Sequence, residues 1–214
     1  MSTDSSLVQS WRKFCKRAAP EYPEIFLMGE QLDRHYAESH RAYHTASHIL
    51  QCLGELDKIR SQTDNPLEVE LAIFFHDVVY NPKAADNEEQ SAKIALETGQ
   101  KMKLSGEALD RIVRLIEGTK IGNLPETNDE RLMEDIDYSI LGQSRDAYEK
   151  YVLGVHFEYN WVPENIFCEK REKFLHKLLE KEHLYYTSFF QERYDHAARE
   201  NIKWEMARLK GSMS

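Results

Sequence analysis

The chain has 214 residues, 30% charged and 41% hydrophobic, a balance that lets one globular domain bury a sizeable core. A net charge of -9 and a pI near 5.5, with no basic run, exclude nonspecific nucleic-acid binding, though a bound metal and a few cations would let one pocket accept a small anion. Cys15, Cys52 and Cys168 are widely spaced with no CxxC, no apolar stretch reaches membrane length, and Asp4, Arg12 and Lys13 interrupt any signal-peptide core, so reduced thiols and a cytoplasmic location are expected.

Leu7, Trp11, Phe14 and Ala18 recur at helical spacing and predict a first helix capped by Asp4 or Ser5. Pro23 opens a second helical stretch through Ile25, Met28, Leu32 and Tyr36. In RAYHTASHIL, His44 and His48 stand four apart and share a face if the segment is helical; Ile49, Cys52, Leu53, Leu56 and Ile59 extend that helix to SQTDNP. Pro66 starts another through Val69, Ala72, Ile73 and His76, expected to end near Tyr80 before Asn81-Pro82. Further helices are predicted at about 87–103, 105–118, 129–141, 144–160, 163–182 and 186–210, with Gly118 and Gly142 as stops. No strand pattern, internal repeat or low-complexity tract appears. The expectation is an all-α bundle forming a single domain over 1–214, with a core at about 23–142 and a helical extension at about 144–210.

Three segments carry chemistry. AIFFHDVVYNP sets His76 and Asp77 inside an apolar run, where packing alone would select Leu or Val and a buried carboxylate needs a cation or strong donors. RAYHTASHIL adds His44 and His48, and LMEDIDYSILG adds Asp135 and Asp137 beside another apolar patch. The order H…HD…D is that of a divalent-metal site. Two imidazoles and two carboxylates suit Mn, Fe, Co, Ni or Zn and leave positions for water and a substrate oxygen. Asp135 and Asp137 point to nearly opposite faces of one helix, so both do not easily ligate one ion.

This ordered set resembles the HD superfamily of metal-dependent phosphohydrolases, and its YHxxxH form is similar to the first motif of the cyclic-nucleotide phosphodiesterases. YHTASHI, FFHDVVYNP, NEEQSA, DIDYSILG, EYNWVP, REKFL, YYTSFF and AARENIKWE together resemble a bacterial and fungal group described only as predicted HD phosphohydrolases, over about Arg41 to Leu209. The resemblance implies an HD-type helical bundle with His48, His76, Asp77 and Asp137 as ligands, and His44 as general acid to the leaving oxygen. The alternative is that His44 only supports a ligand or exchanges roles with His48. Asp135 then stands behind Asp137 or is surface charge.

The implied activity is hydrolysis of a small phosphoester, a nucleotide or related phosphometabolite, by metal-activated water, with Asp77 accepting the water's proton. Arg41, Lys83 and Lys120 are candidates to meet substrate phosphate, or else solvated surface charge. Glu89, with Glu88, orients water or a substrate hydroxyl, or else serves as a helix N-terminal acid. TKIGNLP lacks the histidine that the group often carries just after the position of Thr119, which lowers the case for a second metal and for a di-iron oxygenase. A non-catalytic, metal-stapled nucleotide-binding regulatory module is the rival reading. His156 and His183 carry no assignment. Tyr148, Tyr151, Phe157, Tyr159, Trp161, Phe167 and Phe174 either wall a base pocket or form core or a homo-oligomer interface.

Overall fold

Apolar residues at helical spacing along nearly the whole chain give an all-α protein. The computed structural model describes residues 4–19 and 21–212, and no strand occurs among them. The chain forms two compact units, Met1–Glu134 and Asp135–Ser214.

In the first unit, α1 (Ser6–Ala18) is capped by Ser5, whose hydroxyl accepts from the Val8 N–H at 3.2 Å. A 3-10 turn (Pro23–Leu27) leads into α2 (Met28–Tyr36), followed by α3 (Ala46–Ile59), α4 (Pro66–Phe75), α5 (Asn87–Lys101) and α6 (Gly106–Gly118). The helix α4 is the hub, packing against α1, α3, α5 and α6. Every residue from Val69 to Phe75 is buried, so α4 has no polar face and reads as a core helix rather than an amphipathic one. Trp11 stands edge-on to Phe74 and Phe75, with ring centroids 5.2 and 5.7 Å away, and donates its indole N–H to the Ile25 carbonyl at 2.8 Å. Gly29 lets α2 approach: a Cβ there would lie 2.8 Å from Trp11. The buried Glu70 carboxylate joins Arg17 to Arg60, tying α1 and the end of α3 to the hub.

The helix α7 (Asn128–Asp137) opens on a reciprocal cap that the sequence expectation lacked. The Thr127 hydroxyl accepts from the Glu130 N–H at 3.2 Å, while the Glu130 carboxylate accepts from the N–H groups of Glu126 at 2.7 Å and Thr127 at 3.2 Å. Beside it, Asp129 accepts from the N–H groups of Asp64 and Asn65, at 2.7 and 2.8 Å, where α4 begins.

The second unit contains a 3-10 turn (Tyr138–Gly142), α8 (Arg145–Glu158), α9 (Glu164–Glu180), a short turn α10 (Ser188–Phe190), a π turn (Gln191–Asp195) and α11 (His196–Ser212). Its core holds a buried fork in which Arg171 donates to both Glu205 oxygens, at 2.7 and 3.2 Å, and to the Tyr151 hydroxyl at 2.9 Å. The helix expected over 186–210 runs from Ser188 to Ser212 with a π turn at Gln191–Asp195, and the one expected over 129–141 tightens to 3-10 after Asp137. Gly118 and Gly142 do end their elements, but neither is left-handed; among the described glycines positive φ belongs to Gly122. Gly142 is needed for space, since a Cβ would collide with the Tyr194 backbone and Cβ. No helix among the described residues is long and apolar enough to cross a membrane.

Candidate metal centre

The helix α4 stops five residues earlier than the sequence pattern suggests, at Phe75 rather than Tyr80. His76 keeps a helical bond, its N–H donating to the Ala72 carbonyl at 2.9 Å, and Val78 tightens the exit by donating to the Phe75 carbonyl at 3.0 Å. The HD pair therefore sits on the turn leaving a buried core helix, and not within a helix running on to Tyr80 as expected. Pro82 favours an extended Asn81 and discourages further helix. The exit is held by Ser91, whose hydroxyl accepts from the Val79 N–H at 3.1 Å.

The histidine pair departs from expectation in the same way. The helix α3 begins only at Ala46, with Thr45 as N-cap, so His48 is on the helix and His44 is in the bend before it. Their four-residue spacing is not one helical turn. The two rings nevertheless come within 6.0 Å, centroid to centroid, because the bend folds His44 back onto Tyr80, with which it stacks at 4.1 Å.

At the meeting point, His48 Nε2 lies 3.1 Å from His76 Nε2, and Asp77 Oδ2 lies 3.5 Å from the first and 3.1 Å from the second. Both histidines are buried. His76 Nδ1 is 3.0 Å from the Ile73 carbonyl, which only accepts, so Nδ1 carries the proton and Nε2 of the neutral ring presents a lone pair to the centre. His48 Nδ1 is 3.0 Å from the Tyr43 hydroxyl, and the Cys52 sulfur is 3.7 Å from the same nitrogen. Burial alone would raise the Asp77 carboxyl, but His76, His44 and His48 outweigh it when they carry protons and then hold it below the ordinary carboxylate range. Two imidazole nitrogens and a carboxylate oxygen thus converge at one point, an arrangement that a bound cation would satisfy. Two imidazoles and a carboxylate so placed make a possible metal site.

Among the expected substrate contacts of the first unit, Arg41, Glu89 and Lys120 are engaged with protein partners. Arg41, expected to face substrate phosphate, is instead turned inward with no exposed side-chain surface and is bonded to Glu38 and to backbone carbonyls. Lys120 and Glu89, expected to contact substrate separately, pair with each other at 2.6 Å on the surface, and Lys120 also donates to the Ala85 carbonyl at 2.8 Å. That pairing raises the lysine and lowers the carboxyl. Lys83 is exposed, and its N–H donates to the Asn81 side chain at 3.0 Å.

Within the second unit, Asp135 is buried and accepts from the N–H groups of Tyr186 at 2.7 Å and Thr187 at 2.8 Å, and from the Thr187 hydroxyl at 2.6 Å. Both its oxygens are committed to fixing the start of α10. Asp137, the last residue of α7, is partly exposed; burial raises the Tyr151 phenol, Arg171 opposes this, and Glu205 and then Asp137 add to it. His156 pairs with Glu164 at 2.8 Å on the surface.

Sequence reasoning assigned no role to Tyr43, Cys52 or Tyr80, all of which touch the histidines. Cys52 was the most accessible of these, standing one helical turn beyond His48 on the same face. Comparison with models of protein families, with curated proteins and with solved structures finds no match.

Proposed function

We propose that the protein is a metal-dependent phosphohydrolase acting on a small phosphoester, a nucleotide or related phosphometabolite. The observation that carries this reading is the convergence of His48 Nε2, His76 Nε2 and Asp77 Oδ2 within 3.5 Å of one another. The donor set fits a divalent transition ion, Mn, Fe, Co, Ni or Zn, since imidazole nitrogen and carboxylate oxygen suit all of them. His48, His76 and Asp77 would hold it, and Asp137 is the further carboxylate that the motif order assigns. The commitment of both Asp135 oxygens to Tyr186 and Thr187 supports choosing Asp137 over its neighbour.

When bound, such an ion supplies Lewis acidity to a phosphoryl oxygen and acidifies a water. The chain supplies the rest. His76 keeps its lone pair aimed inward because Ile73 holds the opposite nitrogen. His44 lies beside this centre, its ring 6.0 Å from that of His48, and an imidazole is suited to protonating a leaving oxygen. Asp77 takes up the proton of the attacking water.

The test is metal analysis of the purified chain together with a phosphatase screen over nucleotides and cyclic nucleotides. About one metal ion per chain and metal-dependent release of phosphate or of a monoester are expected. Bound metal with no turnover of any phosphoester would favour the regulatory module, and two irons per chain would favour the oxygenase. No metal after metal-supplemented expression would end the reading.

A further inference from the structure

Arg41 is the most fully employed side chain around the centre. Its guanidinium lies between the Tyr36 and Tyr80 rings, 5.2 and 5.4 Å from their centroids, and no part of the side chain is exposed. Nε donates to Glu38 Oε2 at 2.9 Å. One terminal nitrogen donates to the His44 carbonyl at 3.0 Å and the Asp77 carbonyl at 2.8 Å, and the other donates to the Val78 carbonyl at 3.0 Å.

These carbonyls belong to irregular backbone. His44 is in the bend before α3, and Asp77 and Val78 lie past the end of α4. Buried carbonyls outside a helical ladder need other donors, and a planar fork with five N–H groups serves several at fixed angles. An ammonium on a flexible stem keeps the charge but not that geometry. One side chain therefore binds the residue bearing His44 and the residue bearing Asp77, which are 33 positions apart by their numbers in the sequence.

We propose that Arg41 is a positioning residue: its fork, rather than its charge, holds the His44 bend and the His76-Asp77 turn in register, so that the centre is shaped before any ion or substrate arrives. This role rests on the metal-centre reading for its functional consequence, but the clamp itself does not. Arg41 acts on substrate only through His44 and Asp77, and a phosphate-binding role is replaced by control of the distance between a proton donor and a ligand.

The experiment compares the full chain with Arg41→Lys and with Glu68→Gln. The control breaks the Arg111–Glu68 pair at the opposite end of α4, whose bonds are 2.7 and 2.8 Å long. Zn²⁺ affinity is read by competition with a chromophoric chelator, and hydrogen exchange is followed at amides 43–48 and 76–80 without metal. Arg41→Lys is expected to weaken Zn²⁺ binding by about 10- to 100-fold, the usual effect of removing support behind a metal ligand. Exchange should rise in both segments together, and Glu68→Gln should change neither property. Unchanged Zn²⁺ affinity, or faster exchange in only one segment, overturns the proposal. If the unaltered chain binds no Zn²⁺, Mn²⁺ or Fe²⁺, the metal reading fails, while paired exchange still decides whether Arg41 is the clamp.

Discussion

Removing one imidazole from the centre separates a metal ligand from an ordinary buried histidine. His76→Ala takes away one of three converging acceptors and also the bond to the Ile73 carbonyl, a net loss of about 1 kcal/mol with or without metal. The metal-dependent part is distinct. An ion that binds only the folded chain contributes about 2.7 kcal/mol at one hundred times its dissociation constant. In a chain of this length that shifts the melting temperature by about 5–11 °C. The assay is therefore a double difference: thermal melts of the unaltered chain, His76→Ala and His48→Ala, each with excess Zn²⁺ and with chelator. Costs of cavity and lost hydrogen bonds cancel within each variant, leaving the metal contribution alone. The unaltered chain should show the full shift, and each variant should retain less than about a third of it, since loss of one imidazole removes most of the affinity. An equal metal-induced shift in His76→Ala and the unaltered chain would refute the argument that the three acceptors share an ion.

His44→Ala should keep metal and fold while slowing phosphoester cleavage by about 10²- to 10⁴-fold, with a smaller loss on an activated aryl phosphoester that needs little leaving-group protonation; loss of metal instead would show that the roles of His44 and His48 are exchanged. Glu130→Gln should cost about 0.5–2 kcal/mol at neutral pH by weakening the cap of α7. Burial raises the Glu130 carboxyl, but the N–H donors of Glu126 and Thr127 outweigh it and lower its folded value, so its contribution is present above the unfolded value near 4.5 and is lost as pH falls; denaturant melts from pH 7 to 3 should show the variant and unaltered curves converging on the acid side. Burial pushes the Cys15 thiol up to about 12, so mass spectrometry after iodoacetamide treatment at pH 8 should find Cys15 unlabelled in the folded chain and labelled in denaturant; rapid native labelling would contradict its packing in α1.

The all-α architecture was legible because helical periodicity is written by packing, and it survives small errors in where each helix stops. Leu7, Trp11 and Phe14 were read as one face and are buried as one face. The stops were less legible because tertiary contacts decide them. Nothing local in IFFHDVVYNP announces that the helix ends at Phe75. The end depends partly on Arg41, 36 positions before Asp77, which supplies donors for carbonyls that would otherwise need a helical partner. The same distance in sequence hid the role of Arg41. A basic residue beside a candidate phosphohydrolase motif suggests phosphate when read locally, whereas a fork buried between two tyrosines suggests backbone. Lys120 and Glu89 follow their other readings, surface charge and helix N-terminal acid; what the sequence hid is their pairing, which joins residues 31 apart. His48, His76 and Asp77 were legible because a charged or polar residue in an apolar run contradicts the packing pattern around it, and such contradictions persist only where another force compensates. By that logic the turn after α4 is the most informative part of the molecule. Its His76 and Asp77 side chains point toward His48 while its carbonyls are held by Arg41, so one short segment is fixed from behind by a cation, and the proposed ion would meet it from the front.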